Sequence, residues 1–289
     1  MKTFFLHAAI KIAKRPYFKG RDRLTNILLS LASKYGWHRV ELEGLLFDLN
    51  LRDALSQSIF LNQQLPADTW KLLIKLLNPG MTFVDIGANI GYTTLCGARV
   101  VGQSGSVFAF EPSPRAFNSL KRNVEINNYN WVKVEQAACG EKREVTNFYV
   151  STYSDEYNSL GEDQNLLNEK IECQVVRLDE YLSAQGKKPD VIKIDVEGAE
   201  WQVLTGMTDL FSAENPPLLI IEASFLNAQR FDYKPSEMFE WLKKYNYDFV
   251  IWHGKLLDYT DDFVNKDGGL CDVVCFNSSW ESSIKKLKI

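Results

Sequence analysis

The chain has 289 residues, 45% of them hydrophobic and 24% charged, a balance that builds one large or two small cores and excludes a disordered, collagen-like or coiled-coil protein. Its formal charge of -4 excludes a general polyanion binder, and no apolar run approaches the roughly 18 residues that cross a bilayer. The cysteines, at 96, 139, 173, 271 and 275, form no C-x-x-C pair and are odd in number, so the reading is buried thiols in a reducing cytoplasm, without disulfides or zinc.

The start is basic. Lys2, Lys11, Lys14, Arg15, Lys19, Arg21 and Arg23 stand against Asp22 alone within residues 1–23. A solvated helix is the plain reading; peripheral membrane contact or homodimer pairing through amino-terminal helices is the functional one. Residues 3–10 do not read as a signal peptide, because His7 breaks the apolar stretch and Lys11, Lys14 and Arg15 follow where cleavage would fall. Leu24, Ile27, Leu28 and Leu31 recur at the spacing of one helical face. Residues 1–45 are therefore expected as a helical extension and residues 46–289 as the main domain. Residues 43–51 alternate like a strand, and residues 66–77 read as a helix stopped by Asn78, Pro79 and Gly80.

From residue 81 the pattern is regular. Strands are expected at 81–86, 106–110, 131–136, 191–194, 218–223, 247–252 and 272–276, with helices at 91–101, 114–127, from 199, and at 236–244. Strands alternating with helices predict an α/β fold, a doubly wound and mainly parallel sheet. The alternation lapses over 144–185, where strands at 145–150 and 171–176 flank a polar loop and a helix at 177–184 follows. This stretch is expected as an insertion beside the strand ends.

The chemistry begins at Phe83-Val84-Asp85-Ile86-Gly87-Ala88-Asn89-Ile90-Gly91-Tyr92. An apolar strand passes through a glycine turn into a helix, whose free N–H groups suit an anion or nucleotide-like ligand. Asn89 and Tyr92 stand where G-x-G-x-x-G needs glycine, which disfavours a nicotinamide oxidoreductase, and there is no phosphate-binding G-x-x-x-x-G-K-[ST]. Glu111 ends the next strand, 24 residues after Gly87, where nucleotide folds place an acid on the ribose hydroxyls.

Three motifs now stand in order: Asp85-x-Gly87-Ala88-Asn89-x-Gly91, Phe110-Glu111-Pro112, and Lys193-Ile194-Asp195-Val196-Glu197-Gly198-Ala199-Glu200. Together with Pro79-Gly80-Met81-Thr82 and Leu218-Leu219-Ile220-Ile221-Glu222, they resemble the FkbM family of S-adenosylmethionine-dependent methyltransferases over residues 45–277. The resemblance implies a class I methyltransferase fold, Rossmann-like, with seven strands and the last antiparallel. It implies that Asp85, Gly87, Asn89 and Gly91 hold the methionine part of the cofactor, Glu111 the ribose, and Gln136 and Ala137 the adenine side. Asp195 is implied beside the methionine amine and the sulfonium. Glu197 and the loop residues Asn158 and Ser159 are the expected acceptor contacts.

The expected function is O-methylation of a hydroxyl on a sugar, glycan or secondary metabolite. The base that takes the hydroxyl proton is left among Asp195, Glu222 and His253, all at the carboxyl edge of the expected sheet. The rival from another class is a non-catalytic binding or scaffold protein with a degenerate methyltransferase fold. Asn215-Pro216-Pro217-Leu218 reads as a turn before a strand and not as a base-stacking motif of DNA methyltransferases, so no nucleic-acid partner is expected. Asp258, Asp261 and Asp262 read as solvated loop charge, so no metal site is expected.

Overall fold

The computed structural model describes residues 2–14, 19–33, 36–65, 69–151, 160, 168–266 and 269–287. Helices α1 (Lys2–Ala13) and α2 (Arg21–Ser33) precede a hairpin of β1 (His38–Leu42) and β2 (Leu45–Leu49). Helices α3 (Ala54–Asn62) and α4 (Thr69–Leu76) lead into the main sheet. Its first half is β3 (Thr82–Ile86), α5 (Tyr92–Val101), β4 (Ser106–Phe110), α6 (Pro114–Ile126) and β5 (Val132–Glu135). A three-stranded unit follows, made of β6 (Ala138–Cys139), β7 (Glu144–Ser151) and β8 (Asn168–Val176), and then α7 (Leu178–Ala184). The second half opens with β9 (Val191–Ile194), α8 (Glu200–Thr205), α9 (Thr208–Phe211), β10 (Leu218–Ser224), α10 (Phe225–Gln229) and α11 (Pro235–Lys243). It closes with β11 (Asp248–Trp252), β12 (Leu256–Asp258), α12 (Asp261–Val264), β13 (Leu270–Phe276) and α13 (Glu281–Leu287).

The main sheet has the order β12-β11-β13-β10-β9-β3-β4-β5. Strands from β10 through β5 pair in parallel, and β13 lies antiparallel between β10 and β11. The short hairpin partner β12 makes eight strands where seven were expected. The chain winds outward from β3 in both directions, so the crevice over β3 and β9 is the place where such sheets accept ligands.

Both faces of the sheet are covered, which is why its strands read as near-continuous apolar runs. Val84, Ile86, Phe108, Phe110, Ile192, Ile194, Leu219 and Ile221 pack one face against α7, α8 and α11. Phe83, Val107, Val191, Leu218, Ile220 and Val274 pack the other against α4 and α5. The strand period of two then puts Asp85, Lys193, Glu222 and Asp272 on this second face. The pairings Asp85↔Lys193 and Glu222↔Asp272 set them side by side across the sheet.

The expected helical stretch over 1–45 ends at α2, since β1 and β2 already form an antiparallel hairpin. Leu45, Phe47 and Leu49 are buried against α3 and α5 side chains. Asp48 is buried beside them and takes charge-assisted hydrogen bonds from Arg39 at 2.8 and 2.9 Å and from Arg122 at 2.6 Å. All five cysteines are free and buried. Among the described residues no helix is long and apolar enough to cross a membrane.

Candidate active site

The turn after β3 is anchored at both sides. Gly87 and Ala88 donate their N–H groups to the Phe110 carbonyl, each at 3.0 Å, and Asp195 N–H donates to the Ile86 carbonyl at 3.0 Å. Gly87 has φ +78, and a Cβ there would lie 1.7 Å from the Asp195 carbonyl oxygen. The backbone of β9 therefore leaves no room for any side chain at this position. Asn89 also holds a left-handed φ of 50, and Gly91 caps α5 with φ 92. Asn123, fully buried, donates to the Ile90 carbonyl at 2.9 Å and accepts from Asp48 N–H at 2.7 Å, tying the loop to β2. The helix spacing of α6 alone had not marked Asn123 as part of the site.

Over this turn lies a cavity of about 540 Å³. It runs along the carboxyl ends of four strands. Its β3–β4 half is lined by Gly87, Asn89, Phe110, Glu111, Ala137 and Ala138; its β9–β10 half by Asp195, Glu197, Glu222, Leu226, Asn227 and Leu270. Glu111 is 5% exposed, and its two oxygens accept from Asn89 N–H at 2.8 Å and Ser113 N–H at 2.9 Å. These bonds aim the carboxylate along the cavity wall. The cap of α6 is Ser113, which accepts from Ala116 N–H, so helix capping does not explain Glu111.

Asp85 is placed differently from the expectation. It is 0% exposed and lies beneath the cavity instead of lining it. Its position inside the strand, two residues before the turn, points it at the first turn of α5. There Thr93 and Thr94 donate to its Oδ2 at 2.7 and 2.6 Å. Lys193 Nζ stands 3.7 Å from Asp85 Oδ1 and 2.9 Å from Asp195 Oδ2. Burial alone would lower the Lys193 pKa, but Asp195 and Asp85 outweigh it and hold the ammonium charged, its pKa well above the usual lysine value. Lys193 thus carries the effect of Asp85 to the cavity, a role the motif spacing did not single out.

The β9–β10 half is acidic. One carboxylate oxygen from each of Asp195, Glu197 and Glu222 lies within 4.8 Å of the others. Burial, then the repulsion of Asp195, raises the pKa of Glu197 and of Glu222 well above the usual range. Burial also pushes Asp272, beside Glu222, up to about 6. Asn227 Nδ2 donates to Glu197 Oε2 at 2.5 Å and Thr69 to Asp272 at 2.5 Å. Glu222 has no hydrogen-bond partner among the described residues. The N-cap of α8 is Ala199, with no side-chain cap bond; Glu200 Oε1 instead accepts from Val196 and Gly198 N–H, each at 3.1 Å, and so fixes the turn that carries Glu197. The chain pattern pointed to no metal site, yet this trio presents hard oxygen donors of the kind a divalent ion or an organic cation takes.

Three further expected residues are not gathered here. His253 is exposed in the turn after β11, two strands beyond β10, and does not line the cavity. Gln136 is exposed and outside the lining, while Ala137 is within it. Gly91 shapes the loop from behind, where a Cβ would meet Leu120 at 2.6 Å. Asn158 and Ser159 lie outside the described residues.

A family model described as the methyltransferase FkbM domain matches residues 85–249, more than half of the chain. The chain belongs to the FkbM methyltransferase family. The match runs from Asp85, inside β3, to Phe249, inside β11, and so takes in every acid that lines the cavity. Among curated relatives of this FkbM-family chain, Methyltransferase 1 of Beauveria bassiana is 36% identical over 147 residues, 44% of this chain and 58% of that protein. Hexuronic acid methyltransferase AglP of Haloferax volcanii is 27% identical over 158 residues, 54% of this chain and 62% of that protein. The chain thus spans about six-tenths of these relatives' length. Among solved structures, that of M. jannaschii TYW2 in complex with AdoMet overlays at a TM-score of 0.44 with 16% identity, covering 83% of this chain and 84% of that one.

Proposed function

We propose that this chain transfers the methyl group of S-adenosylmethionine to a hydroxyl of a sugar, glycan or secondary metabolite. The observation that carries the reading is the single cavity with a diol-binding acid, Glu111, at one end and an acidic trio at the other. The residues fit that cofactor. The Gly87 turn packs directly on the Asp195 carbonyl, where no Cβ fits, and the buried Asn89 Oδ1 has no hydrogen-bond partner among the described residues. Glu111 suits ribose hydroxyls, and Asp195 suits an ammonium or sulfonium. When bound, S-adenosylmethionine supplies an electrophilic methyl: the hydroxyl oxygen bonds its carbon while the C–S pair leaves with sulfur as S-adenosylhomocysteine.

The rest falls to the chain's own residues. Gly87, Asn89 and Ala137 set the reactants in line, and positioning of this kind supplies much of such a rate. Asp195, fixed by Lys193, orients the cation. Glu222 takes the hydroxyl proton: beside a bound positive charge its ionised form is favoured, and its raised pKa makes it a stronger base than an ordinary carboxylate. His253 has no part in this scheme. The relative named hexuronic acid methyltransferase supports a sugar as acceptor class.

The test is transfer of labelled methyl to a panel of sugar and aryl-glycoside acceptors. Glu222→Gln is expected to cut kcat by about 10²–10⁴ with cofactor affinity kept; a fully active variant would remove Glu222 as base. We assign the basic helices α1 and α2, with Leu24 and Ile27 exposed, to contact with an anionic membrane surface or a second copy. Deleting residues 1–23 should lower liposome binding or self-association, and no change in either refutes that assignment.

A further inference from the structure

The two halves of the cavity differ in a way that bears on the acceptor, given the methyl-transfer reading on which this inference rests. Glu111 and Ala137 assign the β3–β4 half to the adenosyl group. The acceptor is left with the β9–β10 half, whose floor is Glu222 and Glu197 and whose mouth is formed by Leu226 and Leu270. These leucines stand on adjoining segments, because Leu270 opens β13 opposite Ser224 at the end of β10 and Leu226 lies two residues further on in α10. They are 52% and 58% exposed, an unusual placement for two large apolar side chains at one rim unless something apolar covers them. Leu55, buried, also lines the cavity.

Charge narrows the class further. Glu111, Asp195, Glu197 and Glu222 line the cavity against one cation, Lys193. Lys193 is committed to Asp195 and Asp85, so no lining cation among the described residues can receive an acceptor carboxylate or phosphate. Like charges brought together in such a site cost several kcal/mol.

We propose that the acceptor is uncharged where it meets the site and carries an apolar substituent beside its reactive hydroxyl, with Leu226 and Leu270 as the residues that select that substituent. The acidic floor rejects uronic acids and phosphorylated sugars, so this chain's acceptor differs in charge from that named for the hexuronic acid methyltransferase relative. The favoured class is an alkyl or aryl glycoside, or a similar hydroxylated compound with one greasy face.

The full chain is first titrated with S-adenosylhomocysteine; failure of that binding sinks the methyl-transfer reading and this inference with it. The loaded protein is then titrated with phenyl glucoside, phenyl glucuronide and glucose. Phenyl glucoside is expected to bind at least about tenfold tighter than either of the others, a difference of about 1.4 kcal/mol. In Leu226→Asn and Leu270→Asn the preference over glucose should collapse while S-adenosylhomocysteine binds as before. Equal or tighter binding of the glucuronide overturns the charge argument, including binding that appears only when Mg²⁺ is added, which would give the acidic trio to a metal. Equal binding of glucose and phenyl glucoside, no binding of phenyl glucoside, or a preference that survives both substitutions overturns the apolar argument.

Discussion

Gly87→Ala is the most informative single substitution, because two independent costs meet at one atom. The residue sits at φ +78, where a side chain costs about 1–2 kcal/mol. The added Cβ would also lie 1.7 Å from the Asp195 carbonyl oxygen and 2.8 Å from its carbon. Both are backbone atoms of a strand end held between β3 and β10, so neither can swing away as a side-chain tip could. Relief requires the β3 turn and the β9 end to part by more than an ångström. The combined loss of stability is expected at about 3–5 kcal/mol, in the range reserved for severe backbone conflicts. Displacing Asp195 by an ångström should cut kcat by about a hundredfold, as misplacements of that size do, and weaken S-adenosylhomocysteine binding with it. The control is Gly102→Ala, with φ +63 and ψ −173, a backbone region kept almost wholly to glycine, but nothing within 4 Å of the added atom; it should cost about 1–3 kcal/mol and leave binding unchanged. Denaturant unfolding and calorimetry read both variants. Gly87→Ala with stability and affinity no worse than Gly102→Ala would refute the claim that the turn and the end of β9 form one rigid cradle.

Three other outcomes are expected. Lys193→Met leaves Asp85 and Asp195 without their shared buried cation and should cost about 3–5 kcal/mol, read by denaturant unfolding; a neutral result would mean the pairing contributes nothing. Glu197 and Glu222 have folded pKa values raised above their unfolded ones, so the cofactor-free protein holds extra protons. That stability is fully present below the unfolded carboxylate pKa and is lost as pH rises through the raised values. Tm should therefore fall from pH 5 to pH 8, and Glu222→Gln should flatten the fall; an unchanged slope in the variant would contradict the burial argument. Asp48 behaves oppositely, since hydrogen bonding by Arg39 and Arg122 lowers its pKa, so its contribution is lost as pH falls through that value. Asp48→Ala should cost about 1–2 kcal/mol at neutral pH, the partly exposed arginines limiting the effect, and a cost that persists at low pH would refute the ionic origin.

The central strands were legible because burial on both faces forces near-continuous apolar runs, as in Val191–Ile194, interrupted by Lys193 alone, and the first four residues of Leu218–Ser224. The strand β12 was not, since three half-exposed residues carry no periodic signal. Helix α3 was hidden too: its apolar residues spread around the axis, and its start is marked by the Asp53 cap, which accepts from Ser56 N–H. The glycine turn and Glu111 could be read because turn chemistry and strand ends are local features. Asp195, Glu197 and Glu222 could be read as edge residues of the site, but not their closeness, because Asp195 and Glu222 meet only through the parallel pairing of β9 with β10. Asp85 shows the same limit from the other side. Its motif spacing suggested the cavity, while strand parity turned it toward Thr93 and Thr94. His253 reached the correct edge of the sheet but on β11, which the insertion of β13 moves two strands away from Glu222.

Equilibrium binding of labelled S-adenosylmethionine to the wild-type chain and to Glu111→Ala tests the account most directly. Saturation at one site per chain is predicted for the wild type, with affinity at least about a hundredfold weaker when the acid proposed as the ribose ligand is removed, a loss of roughly 2.7 kcal/mol. Undiminished binding in Glu111→Ala, or none in the wild type, would contradict it.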